Sequence, residues 1–104
     1  MNYIFLLGSL LTFILAINLF AQNFWTVGNP LPKKISNNAV ASLTIDDTCF
    51  VFSFMGIDTT KIWSGITQEA FKLNTFTNQW TQIASVPGSV GRIAASAVEF
   101  KGKI

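Results

Sequence analysis

The sequence contains no histidine, and its 104 residues include a single cysteine, Cys49. Without histidine the chain lacks the commonest general base and the commonest metal ligand of proteins. One cysteine cannot form an internal disulfide. Because no histidine is present to activate the thiol, we interpret Cys49 as a small core residue within an apolar run. We therefore expect no metal or other cofactor, and the sequence leans away from an enzymatic function without excluding one.

Charged residues are also scarce. They make up 12% of the chain, against about 25% in average soluble proteins. The 7 basic and 5 acidic residues mix both signs and leave a net charge of +2. Such a weak and scattered charge argues against nucleic acid as a partner, because nucleic-acid binding needs a concentrated basic surface.

The first 22 residues carry no charged side chain, and residues 3–20 are almost entirely apolar. We interpret residues 1–21 as a helical signal peptide that ends at the small residue Ala21. This interpretation predicts export to the periplasm, the cell surface or the medium. The alternative is an uncleaved membrane anchor over residues 3–20, since about 20 apolar residues can span a bilayer. Asn18 within the run and the absence of flanking basic residues favour the signal peptide, so that the protein would meet a membrane only through this segment.

A repeat with a period of 55 residues runs through the rest of the chain. Trp25-Thr26 recurs as Trp80-Thr81, and Pro32 recurs as Pro87. Ala39 likewise falls on Ala94, and the segment 43–45 falls on 98–100. A period of this length is typical of solenoids, propellers and arrays.

Four β-type segments fill one period. The pattern predicts strands over residues 39–45, 48–54, 68–73 and 79–83, with Asp46-Asp47 as a two-residue hairpin turn rather than a carboxylate pair. The second strand is apolar at consecutive positions, which indicates burial on both faces of a sheet. Four short antiparallel strands per repeat are the arrangement of a β-propeller blade. The expected fold is therefore all-β, with one blade over residues 39–83, a closing strand over 25–28 and the start of the next blade over 93–104.

The segment 71–81 resembles the second half of a kelch repeat, with Thr77, Asn78 and Trp80 in register with the family pattern. Pro87 and Arg92 match the passage into the next blade, although Ser53-Phe54 stand where the family has two glycines. The resemblance implies an exported kelch-type propeller whose first portion is residues 22–104. It also implies that the remaining blades are partners of this segment. The repeat anchors are Trp25, Trp80, Pro32, Pro87 and Asn78.

Three side chains are candidates for binding. Trp63 lies in a predicted loop, where it could stack on a sugar or enter a partner's pocket, although Ile62 and Trp63 could instead pack that loop against the sheet. Arg92 resembles the arginine that kelch proteins present near one mouth of the channel; the alternative is a structural contact between blades. Asp58 lies in the same loop as Trp63, and its alternative role is that of a turn former.

Two classes of function follow from this resemblance. The favoured class is a binding module that recognises a glycan or a protein partner. The alternative is the first part of a carbohydrate-active kelch enzyme, such as a sialic acid mutarotase, to which only Arg92 and Glu99 could contribute. A third possibility is a truncated product without independent activity, because a single blade leaves two apolar faces uncovered.

Overall fold

The computed structural model describes residues 25–104. Four strands pair antiparallel in chain order and form one sheet. They are β1 (Ala39–Ile45), β2 (Thr48–Ile57), β3 (Ile66–Asn74) and β4 (Gln79–Ile83), with one turn of 3-10 helix (Trp63–Gly65) between β2 and β3. The predicted all-β class and the four-stranded antiparallel sheet are confirmed. The predicted signal peptide over residues 1–21 lies outside the described residues.

The bounds of β1 and β4 agree with the sequence prediction, whereas the two central strands are longer than predicted. β2 continues to Ile57 instead of ending at Phe54, and β3 begins at Ile66 instead of Gln68. The extension passes through a β-bulge, seen as a shift in the β2–β3 register between Phe54 and Gly56. At a bulge one strand has an extra residue, and the two strands stay paired on either side of it. The alternation of residues is interrupted there, so the prediction from the residue pattern ended β2 too early.

Asp46 and Asp47 form the hairpin turn between β1 and β2, as predicted. Their φ angles are 47° and 63°, and Ile45 pairs with Thr48 directly before and after them. Two consecutive residues with positive φ are characteristic of the type I′ turn, and its twist matches that of the flanking strands. Both residues are exposed.

The two faces of the sheet differ in their side chains, because successive residues of a strand point to opposite sides. One face, here called the phenylalanine face, carries Leu43, Phe50, Phe52 and Phe54. The Phe52 and Phe54 rings stack with their centroids 6.0 Å apart. The opposite face, here called the Trp80 face, carries Val51, Phe71, Leu73 and Trp80.

Few side chains of the described chain are buried. The buried hydrophobic residues are Ala39, Ile57, Ala70 and Phe71. The buried hydroxyl of Ser53 accepts a 2.7 Å hydrogen bond from the side-chain amide of Asn38. Phe50, Phe52 and Phe54 remain only partly buried, so the phenylalanine face is not fully covered by the described chain.

Two connecting segments pack on the sheet and meet near the end that carries the β2–β3 loop, the first of them starting at Asn29 beside the β3–β4 turn. The first connecting segment is residues 29–38, and its backbone pairs Ser36 with Ile57. The second connecting segment is residues 84–94, in which the Val86 amide donates to the Gln68 carbonyl at 2.9 Å. The 55-residue repeat relates the two segments, and Pro32 and Pro87 lie at exposed positions within them.

Gly56 lies between the two connecting segments. Its φ is 111°, and its amide donates a 3.1 Å hydrogen bond to the Arg92 carbonyl. A Cβ atom at this position would meet the Ile35 side chain and would lie 2.8 Å from the Ser36 carbonyl oxygen. Glycine is the residue that allows both this backbone conformation and this close approach.

The segments assigned to neighbouring blades form no extended strand within the described chain. Residues 25–28 have no strand pairing, and along 93–104 only Phe100 and Lys103 form a bridge, around the turn at Lys101-Gly102. A strand needs a hydrogen-bonding partner along its length, and no such partner faces these segments within residues 25–104. Their place in other blades stays a prediction. Over this same range, no helix has the length and apolar character needed to cross a bilayer.

Candidate binding cleft

The loop between β2 and β3 is organised by Asp58. Its carboxylate accepts hydrogen bonds from the Thr60 hydroxyl and from the Thr60 amide, the latter at 2.9 Å. Its backbone amide donates to the Gly65 carbonyl at 3.0 Å, which closes the loop across the 3-10 turn. These contacts are those of an Asx turn, so the Asp58 carboxylate is engaged in shaping the loop.

The electrostatics of Asp58 follow from this geometry. The hydrogen bonds from Thr60 hold the pKa of Asp58 below its ordinary value of 3.8, and the nearby charges of Lys61 and Lys33 act in the same direction. Donors that bind the charged form of a carboxyl stabilise that form. Asp58 is therefore ionised at neutral pH and contributes negative charge to the cleft that it lines.

Trp63 occupies the first position of the 3-10 turn and is largely exposed. Its side chain is 85% exposed, and that of Ile62 is 58% exposed. The alternative was that Ile62 and Trp63 pack the loop against the sheet. Within residues 25–104 both side chains are exposed instead. An indole held open to solvent by a closed loop is available for stacking on a ligand ring.

Arg92 lies in the second connecting segment and lines the same cleft as Trp63. This Trp63–Arg92 cleft has a volume of about 410 Å³. The Arg92 backbone carbonyl is fixed by the Gly56 amide, whereas its guanidinium has no hydrogen-bond or ion-pair partner among residues 25–104. The remaining walls are formed by Ser64, Ile66, Gln68, Ser89, Val90, Gly91 and Ile93.

A second cleft, here called the lysine cleft, opens beside the first and has a volume of about 700 Å³. Lys33, Lys34, Asp58 and Glu69 supply its charged groups. The Lys33 ammonium binds both carboxylate oxygens of Glu69, at 2.7 and 2.6 Å. Lys34 has no such partner within the described part of the chain.

Glu69 is the most strongly engaged carboxylate of the lysine cleft. The Lys33 ammonium lowers the pKa of Glu69 below its ordinary value of 4.5, partial burial opposes this, and hydrogen bonds from Thr67 and Gln82 support it. The ion pair joins the first connecting segment to β3. Because the Lys33 side chain is 56% exposed, the pair contributes about 0.2–1 kcal/mol to stability.

The three candidate binding residues all lie at one end of the sheet. Trp63 and Arg92 share a cleft, whereas Asp58 lines the neighbouring one. Sequence reasoning missed Lys34, Gln68 and Glu69, which line these clefts but belong to no motif. Among residues 25–104 no three Cys, Asp or Glu side chains converge as they would around a metal ion.

The repeat anchors lie apart from the clefts or at their margins. The Trp80 indole and Asn78 contact Asn29 of the first connecting segment, whereas the Trp25 side chain is 88% exposed. Comparison with known proteins adds no family to this picture: no family model, curated protein or solved structure matches the chain.

Proposed function

We propose that this protein is an exported, non-catalytic binding module of the kelch-propeller type that recognises a glycan through the Trp63–Arg92 cleft. The observation that carries the proposal is the pairing of an indole that is 85% exposed with a guanidinium that has no partner among the described residues. An aromatic ring can stack on the apolar face of a sugar, and an arginine can donate several hydrogen bonds to its oxygens.

The polar groups around the indole favour a glycan over an apolar protein segment. Ser64, Gln68 and Ser89 line the cleft with hydroxyl and amide groups. Ligand sites commonly combine an apolar platform with a few polar groups that fix the ligand's orientation. Sugars need both, because each ring has apolar C–H faces and a rim of hydroxyls.

The blade assignment is supported by the sheet itself. Both faces carry large apolar side chains that the described chain leaves partly accessible, such as Phe52 on one face and Trp80 on the other. A unit that cannot bury its own apolar faces is expected to stack on similar units. We propose that further sheets of this type cover the two faces, and that the clefts open at one end of the stack.

The binding proposal is tested with the full chain tethered at low density to a biosensor surface and exposed to a panel of neutral and acidic oligosaccharides. We expect Trp63→Ala to weaken binding about tenfold, because loss of an aromatic contact of about 1.5 kcal/mol corresponds to that factor. The matched control is Phe76→Ala, since Phe76 is 90% exposed but lies in the β3–β4 turn at the other end of the sheet. Equal loss in both variants, or no binding to any glycan, would contradict the proposal.

Export is tested separately by N-terminal sequencing of the protein recovered outside the cytoplasm. The proposal expects a mature form that begins at or near Gln22, directly after Ala21. A form that still begins at Met1 would contradict cleavage and favour the anchor over residues 3–20.

A further inference from the structure

The side-chain amide of Gln68 binds the turn at Pro87-Gly88 in the second connecting segment. Its Nε2 atom donates to the Val86 carbonyl at 3.1 Å and to the Gly88 carbonyl at 2.7 Å. The backbone carbonyl of Gln68 accepts a third hydrogen bond, from the Val86 amide at 2.9 Å. These bonds join β3 to the second connecting segment, so the Gln68 side chain is held in one position.

The same bonds decide which way round the Gln68 amide lies. A glutamine amide has two N–H donors and one carbonyl acceptor, and main-chain carbonyls use both donors of Gln68. Rotation of the amide by half a turn would place its oxygen against those two carbonyl oxygens, with no hydrogen between them. Gln68 therefore has no donor left for a ligand, and the group that it can offer is its Oε1 atom.

The Oε1 atom of Gln68 is open to solvent. Within residues 25–104 no group donates a hydrogen bond to it, while every buried side-chain nitrogen or oxygen atom of that range has a partner. An oxygen without a partner is thus an accessible one. Because Gln68 lines the Trp63–Arg92 cleft, this acceptor is available to a ligand that binds there.

The other polar side chains of this cleft do not offer a fixed acceptor. The Arg92 guanidinium can only donate, and the hydroxyls of Ser64 and Ser89 rotate and can either donate or accept. No Asp or Glu is among the described residues that line the cleft. Gln68 therefore supplies a side-chain acceptor whose position is set by bonds to the main chain, beside a cation that supplies donors.

We propose that Gln68 is a specificity-determining residue of the Trp63–Arg92 cleft, and that its Oε1 atom accepts a hydrogen bond from one free hydroxyl of a bound sugar ring. This inference rests on the proposed function, because it specifies how the same cleft selects its glycan. An acceptor that cannot turn to donate disfavours a ring that lacks an O–H at that position, since the oxygen then loses its water and gains no partner. The cleft should therefore distinguish a hydroxyl from a group of similar size that cannot donate.

The test measures binding of the methyl glycosides of glucose, galactose, mannose and N-acetylglucosamine, and of their monodeoxyfluoro derivatives, to the tethered full chain. Fluorine replaces a hydroxyl with little change in size but cannot donate a hydrogen bond. For a sugar that binds, we expect fluorine at one ring position to weaken binding by about threefold to tenfold, the range that corresponds to a neutral hydrogen bond.

The variant Gln68→Lys separates recognition of the sugar from support of the second connecting segment. A lysine ammonium can donate to the Val86 and Gly88 carbonyls but has no acceptor. The penalty for fluorine should therefore disappear, while amide exchange at Val86 stays unchanged. A variant that only loosened the segment would weaken the parent sugar and its fluoro derivative equally, and the penalty would remain.

Gln68→Met is the second variant, because its thioether does not donate and accepts only weakly. It should also remove the penalty for fluorine, and here amide exchange at Val86 should become faster. Gln82→Lys is the matched control, since Gln82 is an exposed glutamine of β4 that lines neither cleft. This control should keep the full penalty.

The outcomes separate this inference from the proposed function. Sugar binding without a fluorine penalty at any ring position, or a penalty that Gln68→Lys leaves intact, would overturn the role of Gln68 while leaving glycan binding in place. Binding of oligosaccharides but of none of the methyl glycosides would also overturn it, since the cleft would then not recognise a single ring. Failure of every glycan to bind would overturn the proposed function itself.

Discussion

The indole Nε1 of Trp80 donates a 2.9 Å hydrogen bond to the backbone carbonyl of Asn29, 51 residues earlier in the chain. The Asn29 amide in turn donates to the Asn78 side chain at 3.0 Å. Two residues of the Asn-x-Trp motif therefore hold the first connecting segment against the sheet. The repeat predicts both residues as structural anchors between blades, and within the described chain both contact the first connecting segment.

Replacement of Trp80 by phenylalanine should loosen this connection. Trp80→Phe keeps an aromatic ring on the sheet but removes the N–H donor. We therefore expect the free energy that protects the amides of the segment from exchange to fall by about 0.5–1.5 kcal/mol. Hydrogen–deuterium exchange at the Asn29, Leu31 and Lys33 amides measures it. Trp63→Phe is the control, since the Trp63 indole donates no hydrogen bond within residues 25–104, and equal exchange in both variants would contradict the assigned role.

Alanine at position 56 should disrupt the crossing of the two connecting segments. Gly56→Ala places a Cβ against the Ser36 carbonyl and strains a backbone with φ of 111°, at a cost of about 1–3 kcal/mol from conformation alone. Faster amide exchange at Ser36 and Ile57 is the expected readout. Gly102→Ala is matched to it, because Gly102 also has positive φ but a Cβ there meets nothing within 4 Å. Comparable effects of the two changes would count against the close approach at Gly56.

Acid should weaken the attachment of the first connecting segment. The pKa of Glu69 is lowered in the fold by Lys33, so the unfolded chain binds more protons than the folded chain at low pH. The contribution of the ion pair is then complete above the unfolded value of 4.5 and is lost as the pH falls through the lower folded value. Amide exchange of residues 33–36 between pH 6 and pH 3, corrected for intrinsic rates, measures it.

The variant Lys33→Ala provides the comparison for this pH dependence. It removes the partner of Glu69, so its exchange at pH 6 should already resemble that of the parent chain at low pH, with a difference of up to about 1 kcal/mol. The lowered pKa of Asp58 depends first on Thr60 rather than on Lys33, so the β2–β3 loop should keep its own acid sensitivity. A Lys33→Ala variant with an unchanged acid response at residues 33–36 would argue against the ion pair.

The phenylalanine face should make the isolated chain self-associate. Phe52 and Phe54 are only partly buried, and an accessible apolar sheet face is favourable to cover. We expect the 104-residue chain to sediment as oligomers, to bind a hydrophobic dye and to melt without a sharp transition. Phe52→Lys should reduce both association and dye binding, whereas Phe76→Lys, in the exposed β3–β4 turn, should not. A monomer with a sharp cooperative melt would contradict this expectation.

Most of the local structure could be predicted from the residue pattern. β1 and β4 have the predicted bounds, and Asp46-Asp47 form the predicted turn, because strand and turn preferences are expressed by neighbouring residues. The last three residues of β2 were not predicted, because Met55 and Gly56 form a bulge. Both connecting segments contact Gly56 at this bulge, and those segments are distant in the sequence.

The sequence could predict the members of the candidate site only as separate residues. Trp63, Arg92 and Asp58 could each be singled out by residue type and by position in a loop or repeat, yet nothing in their spacing brings Trp63 and Arg92 to one cleft. Lys34 and Gln68 carried no motif at all. They line the clefts because the two connecting segments pack at the end of β3.

The sequence by itself determined the all-β class, the four strands and the hairpin turn, since these depend on backbone preferences and side-chain alternation over a few residues. The tertiary structure alone decided the attachment of Asn29 to Trp80, the pairing of Lys33 with Glu69 and the meeting of Trp63 with Arg92 around one cleft. These relationships join residues far apart in the chain, and their geometry is set by how the connecting segments pack across the sheet.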